Sequence, residues 1–241
     1  MSSSLESPYD KGIPRWDVLY RARADEVSKT RPIFTGDVFT GIQLPGSTGK
    51  TKARTVAVLQ HPCSMRTNGV DLAWQVLVAE VSNRKILTED EWTTGHFNLM
   101  PLPDLRPNVD SQARHQAANF DNLYMVKPEN LTSRIASLSQ LGVNLLLQRW
   151  VHFSSRVIVP TSTFHEQTVA YYEEADLIED WCDELDSGNR TDDAKACMEW
   201  LREDRDGRTY QDMLKDPQSH SSIRRAMRSE LKARQDKTSR G

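Results

Sequence analysis

Cysteine is scarce: Cys63, Cys182 and Cys197 are the only three in 241 residues, and no CxxC spacing occurs. An odd, unpaired set argues against a disulfide framework or a zinc site and makes a reducing cytoplasm the expected compartment. Long apolar runs are missing as well. The densest stretch, residues 141–151, is interrupted by Asn144, Gln148 and Arg149, so neither a transmembrane helix nor a membrane partner is expected. The opening MSSSLESPYDKG lacks the apolar core of a signal peptide. Hydrophobic residues reach only 37%, so part of the chain should be solvated rather than core. No HExxH, GxSxG or GxGxxG occurs, which disfavours zinc peptidase, serine hydrolase and dinucleotide chemistry.

What is present is a charge asymmetry. The net charge is −3, but residues 1–164 carry 18 basic and 15 acidic side chains, residues 165–216 carry 6 and 17, and residues 217–241 carry 7 and 2. A weakly basic body is followed by a strongly acidic stretch and a basic tail. That polarity suits a polyelectrolyte partner, an intramolecular mimic of one, or a solvated helical appendage.

Hydrophobic texture divides the chain into an irregular arm (1–30), a β-rich body (31–164) and a charged helical extension (165–241). Within the arm, Trp16–Val27 suggests one short amphipathic helix. Residues 33–39 (IFTGDVF), 54–60 (RTVAVLQ) and 76–82 (VLVAEVS) are β-branched or apolar runs that read as strands. Residues 44–52 form a turn-rich loop with two lysines, and 61–71 a second loop. Residues 83–115, with Pro101, Pro103 and Pro107, read as a long lid-like insertion. Phe120–Val126 and Arg134–Leu138 are candidate edge strands, and Ser139 caps a helix reaching about Val157. Leu177, Ile178, Trp181, Cys182 and Leu185 recur at helical spacing, as do Ala194, Cys197, Met198 and Leu201, then Ile223, Met227 and Leu231; these stripes read as packing.

The order of strands and loops is that of a small SH3-like barrel. Gly36-Asp37-Val38-Phe39 resembles the opening strand of the MazF/PemK (Kid) toxins, and Lys52-Ala53-Arg54-Thr55-Val56-Ala57-Val58 stands where those proteins have a glycine-rich loop, Arg-Pro and a valine-rich strand. Ala79-Glu80-Val81-Ser82 is similar to the end of their third strand, and Leu131-Thr132-Ser133-Arg134-Ile135 to their closing turn. Thr55 replaces the usual proline, Ser82 the usual threonine, and both the 83–115 insertion and the 165–241 extension are extra. The fold class expected is therefore α+β: a small SH3-like, MazF/PemK-type β-barrel with a C-terminal helix, plus an α-helical C-terminal extension. The resemblance implies a metal-independent endoribonuclease, a toxin of a toxin–antitoxin or defence system, that cuts single-stranded RNA without a cofactor. It also implies homodimers and an acidic antitoxin, a role that residues 165–216 could take in the same chain by self-inhibition.

Arg54 and Ser82 match the family's catalytic arginine and hydroxyl. A guanidinium is a permanent planar cation that can hold a phosphate bidentately, and a hydroxyl adds one donor beside the reacting 2′-OH. The same residues also suit a strand-edge arginine and a strand-end cap. His61 follows the second strand and titrates near neutrality, so it is the candidate acid or base. A Cys63–His61 nucleophile pair is conceivable but lacks a visible third member. Lys50, Lys52, Gln60 and Arg66 are the candidate substrate-binding residues. Gly46–Thr51 holds half of a phosphate-binding loop, but position 44 is leucine and no helix pattern follows, so ATP is not the expected ligand. The alternative is a non-catalytic SH3-like module binding a peptide or nucleic acid at the same mouth.

Overall fold

The β-branched runs of the sequence pair into one antiparallel sheet, and the helical stripes into a separate bundle. These assignments come from a computed structural model describing residues 4–46, 49–106, 114–185 and 187–238. Two compact units result: unit 1 is Met1–Val27, Ile33–Met65 and Leu72–Glu166, and unit 2 is Ser28–Pro32, Arg66–Asp71 and Gln167–Gly241.

Unit 1 begins with a minimal hairpin, β1 (Tyr9–Asp10) and β2 (Ile13–Pro14), then a 3-10 turn Trp16–Leu19 and β3 (Tyr20–Arg23). The arm is thus a strand supplier, not the amphipathic helix expected of Trp16–Val27. Next come β4 (Asp37–Pro45), β5 (Thr51–Val58), β6 (Val76–Lys85), α1 (Glu89–Thr94), β7 (Leu99–Leu102), β8 (Arg114–Val126), β9 (Arg134–Leu138) and α2 (Gln140–Ser155). The seven-stranded sheet has the order β3-β9-β4-β5-β6-β8-β7.

This architecture is α+β, but among the described residues no ladder joins β3 to β7, so the sheet is open where a closed barrel was expected. Closure needs the two outermost strands to pair with each other. Here β3 adds outside β9 and β7 adds outside β8, each by an antiparallel ladder. For the same reason Arg134–Leu138 is an interior strand and not an edge, whereas the stretch Phe120–Val126 lies beyond the β7 ladder, which ends at Asn119, and pairs along the sheet with β6 alone, as an edge does. The described part of the 83–115 insertion is ordered structure, with α1, β7 and the end of β6; Pro107 lies outside the described residues, as do Ser47 and Thr48 of the lysine loop.

Side chains explain the registers. Gly36-Asp37, prominent in the sequence motif, anchors β4: Asp37 is buried, accepts from Ser137 Oγ at 2.7 Å and the Phe34 N–H at 2.8 Å, and pairs with Arg134 at 3.2 Å. At the start of α2 the Ser139 hydroxyl accepts from the Gly142 N–H at 3.0 Å, as its capping role requires. Gly142 has no alternative, because a Cβ there would lie 2.3 Å from the Leu19 carbonyl oxygen.

Further along α2, Arg149 is wholly buried. Its guanidinium donates to the carbonyls of Leu99 (2.6 Å), Trp92 (2.5 Å), His96 (2.8 Å) and Gly95 (3.3 Å). Three of those carbonyls close the C-terminal end of α1, where a cation offsets the aligned peptide dipoles. Burial pushes Arg149 down to about 9, still well above neutral pH, so the group is charged.

In unit 2, α3 (Thr161–Leu185, whose first turns lie in unit 1), α4 (Arg190–Arg202), α5 (Tyr210–Met213) and α6 (His220–Thr238) bury the three periodic stripes together. Trp181 and Trp200 meet at 5.5 Å between ring centroids. Five carboxylates of the acidic stretch, all on α3, are paired with arginines inside this unit. Arg31 pairs with Asp176 and, at 3.2 Å, with Glu179; Arg202 pairs with Glu174 at 2.7 Å; Arg224 of the basic tail pairs with Asp180 and, at 3.2 Å, with Glu173.

Candidate active site

Pairing of β5 with β6 runs from Val58 opposite Val78 to Thr55 opposite Val81, so one further step sets Arg54 opposite Ser82. Directly opposed residues share a face. That face is apolar toward one end, where Phe39, Val56, Val58, Val76, Val78 and Val126 belong to one buried cluster. Toward the other end it turns polar. Alternation along β5 and β6 places Lys52 and Arg54 there, with Glu80, Ser82 and Arg84 beside them. The buried Glu80 carboxylate lies 3.3 Å from the Arg54 guanidinium, whose side chain is 39% exposed. The paired β8 residue opposite Glu80 is Asn119, also buried.

Glu80 escaped the sequence reading although a signal existed: it is the one charge within the run VLVAEVS. A carboxylate in a central strand needs a partner, and Arg54 supplies it. Chemically the cluster offers a cation for a phosphate, a carboxylate able to take a proton, and a hydroxyl donor.

The remaining sequence candidates are distributed elsewhere. Lys50 sits in the β4–β5 turn, where its carbonyl accepts from the Gly46 N–H at 2.8 Å, and Lys52 is exposed opposite Leu44. Neither pairs with a carboxylate among the described residues. Gln60 is at the far end of the sheet: its amide accepts from the Leu77 N–H at 2.9 Å and donates to the Ser64 carbonyl at 2.6 Å. Leu77 and Ser82 are five residues apart on β6, about 17 Å at strand rise, so Gln60 and the adjoining His61 do not join Arg54. β5 carries the chain away from Arg54 before reaching them.

His61 caps the short turn Pro62–Ser64: its Nδ1 accepts from the Cys63 N–H at 3.3 Å and lies 2.9 Å from Cys63 Sγ. The structure therefore joins the two residues that sequence spacing left undecided. No hydrogen bond orients the other ring nitrogen among the described residues. Burial lowers the His61 pKa below its ordinary 6.5, favouring the neutral ring that this cap requires. Arg66 belongs to unit 2 and donates to the Val70 carbonyl at 2.5 Å. Its pKa is lowered by burial first, with Glu174 acting in the opposite direction.

Among the described residues, no group of three His, Cys, Asp or Glu side chains is placed to hold a metal ion, and no helix is long and apolar enough to cross a membrane. Compared with known protein families and with curated proteins, the chain matches none.

Proposed function

We propose that unit 1 is a metal-independent endoribonuclease acting in the cytoplasm on single-stranded RNA, with Arg54, Glu80 and Ser82 as its reacting cluster. The observation that carries this reading is the convergence of a guanidinium, a carboxylate and a hydroxyl on one half-exposed sheet face. Glu80 takes the proton of a ribose 2′-OH, the 2′-oxygen attacks the adjacent phosphorus, and the P–O5′ bond breaks to leave a 2′,3′-cyclic phosphate and a 5′-alkoxide that takes a proton from solvent water as it departs, Glu80 later returning its proton to solvent. Arg54 holds the two non-bridging oxygens as charge accumulates on them, and Ser82 donates a further hydrogen bond. In this reading β9-β4-β5-β6-β8 correspond to the MazF/PemK-type core, opened and widened by β3 and β7. A separate antitoxin, a second copy of the chain or residues 165–216 would be its regulators. For the last, the carboxylates of α3 engaged within unit 2 leave fewer free to imitate RNA.

The test is incubation of the full chain with mixed-sequence single-stranded RNA in EDTA. Discrete cuts bearing cyclic phosphate ends are expected, falling by roughly 100-fold or more in Arg54→Ala and by a similar order in Glu80→Gln. Cutting that survives Arg54→Ala sinks the assignment. A second reading is favoured by one observation: Arg54 is already engaged by Glu80 at 3.3 Å. A non-catalytic module would use the same face to bind a peptide or nucleic acid, and the wild-type chain would then retain RNA uncut.

A further inference from the structure

Beyond Asn119 the β7 ladder ends, and the outer side of β8 is left open. Pairing of β8 with β6 skips Phe120, Asp121 and Asn122, resumes at Leu123 opposite Ala79 and runs to Val126 opposite Val76. Pro128 then starts a 3-10 turn. The direction of the main chain in this window can be read from β6. Leu77 turns toward β5: its carbonyl accepts from the Leu59 N–H at 2.9 Å, and its own N–H donates to Gln60 Oε1 at 2.9 Å. Main-chain groups alternate in direction along an antiparallel strand, so Val76 and Val78 face β8 and engage Val126 and Tyr124. Leu123 and Met125 therefore turn their N–H and C=O groups away from β6, and no other group bonds them among the described residues.

Natural sheet edges are blunted by lysine, proline or a covering element. Residues 123–126 carry neither lysine nor proline, and exposed apolar side chains stand beside them: Met125 is 52% exposed and Trp74 is 73% exposed. Lys127 lies 5.6 Å from the Trp74 ring and 3.6 Å from the exposed Glu129 carboxylate, a surface pair weak enough for a better partner to replace. What fits this edge is written in the strand itself. Residues 121–127 read Asp-Asn-Leu-Tyr-Met-Val-Lys, with an acid at one end, a base at the other, and Leu and Met flanking a central tyrosine. Turned end for end about Tyr124, the segment matches itself: Leu123 meets Met125, and the exposed Asp121 meets Lys127. An antiparallel copy must pair odd positions with odd ones, because only Leu123 and Met125 point their main chains outward. A slip of the copy by two residues sets Asp121 opposite Met125 or Lys127 opposite Leu123. Only the centred register gives each of these two charges its opposite.

We propose that the open stretch of β8 is the docking edge for a second copy of this chain, added antiparallel about a two-fold axis through Tyr124. Leu123 of each copy exchanges two main-chain hydrogen bonds with Met125 of the other, and Asp121 faces Lys127 at both ends. Such strand addition takes its affinity from main-chain bonds and its specificity from the side chains beside them, and a two-fold axis uses each contact twice. A window this short belongs with small, transient interfaces, so the dimer is expected in the micromolar range or weaker. The inference stands whether or not the chain cuts RNA.

The experiment is sedimentation velocity of the full chain, without RNA, from the low micromolar range to about 500 µM at low salt. A monomer–dimer equilibrium is expected for the wild type. Asp121→Lys and Lys127→Asp each set like charges opposite one another at both ends of the interface, and each variant alone should dimerise about tenfold more weakly or worse. Mixed in equal amounts, the two variants regain opposite charges at both ends, and dimer should return to about the wild-type level. That recovery also excludes misfolding as the cause of the single losses. Three results overturn the proposal: a wild type that stays monomeric throughout, which leaves the edge to a strand of some other protein; a dimer that neither variant weakens, which places the interface elsewhere; or a mixture that dimerises no better than its components. Because the assay contains no RNA, none of these outcomes bears on the nuclease reading, and RNA that stays uncut leaves the dimer edge untouched.

Discussion

Replacing Arg149 by methionine removes a cation whose four hydrogen bonds tie α2 to the segment between Trp92 and Leu99. Methionine fills much of the space but offers no donor. Hydrogen bonds to charged groups contribute about 1.5–3 kcal/mol each, so the four together supply roughly 6–12 kcal/mol. Against this stands the cost of burying the charge. Its descent from the ordinary arginine range to about 9 corresponds to roughly 5 kcal/mol. Substitution recovers that cost but strands up to four carbonyls, and water entering at the Gly95 end offsets some of the loss. The balance is a destabilisation of about 3–5 kcal/mol, the range seen when one partner of a buried charged network is removed. For a chain of this size that lowers Tm by roughly 6–20 °C, readable by circular dichroism and by urea titration. Arg149→Lys keeps the charge but cannot span four carbonyls with three donors from one atom, so it should fall between wild type and methionine. A methionine variant melting within about 2 °C of wild type would refute the view that this side chain pins the segment carrying Trp92.

Gly142→Ala reverses the usual sign for an internal helix glycine. Alanine normally gains about 1 kcal/mol in such a place, but here the new Cβ meets the Leu19 carbonyl oxygen, and overpacking of about 1–3 kcal/mol should leave a net loss in thermal melts. An increase in Tm would show that the Leu19 backbone yields easily. His61 gives a pH dependence. Its folded-state pKa is lowered by burial from 6.5, so the unfolded chain binds the proton first. The contribution is complete above 6.5 and is lost as pH falls below it. A protonated ring also cannot accept the Cys63 N–H. The difference in Tm between pH 7.5 and pH 5 should therefore shrink in His61→Gln; an unchanged or larger difference would refute it.

Legibility in the sequence followed the length and purity of each pattern. The runs 54–60 and 76–82 became central strands because β-branched residues on both parities suit a strand covered on both sides. Ser139 and the α2 face were readable because a cap and a 3.6-residue stripe coincide. β3 (YRAR) and β7 (LMPL) were not readable: each has four residues, and the neighbour with unpaired backbone, not the side chains, makes it a strand. Without those two edges the sheet could not be recognised as open. At the site, Arg54 and Ser82 are the residues next beyond the β5–β6 ladder, whereas closeness of His61 in sequence misled because an extended strand separates its ends faster than any other element. Glu80 was hidden by the apolar run around it.

Arg31 meets Asp176 and Glu179 across separations of 145 and 148 residues. The segment Ser28–Pro32 thus emerges from a ribosome long before the helix that completes its surroundings. At ordinary synthesis rates the wait is on the order of 10 s, during which this arginine has only water and chaperones for company. Unit 2 can close only after α3 has been made, so its folding waits on residues 145 or more positions downstream of Arg31. A chain cut short before α3 would carry, in its early segment, a cation whose folded partners had not been made.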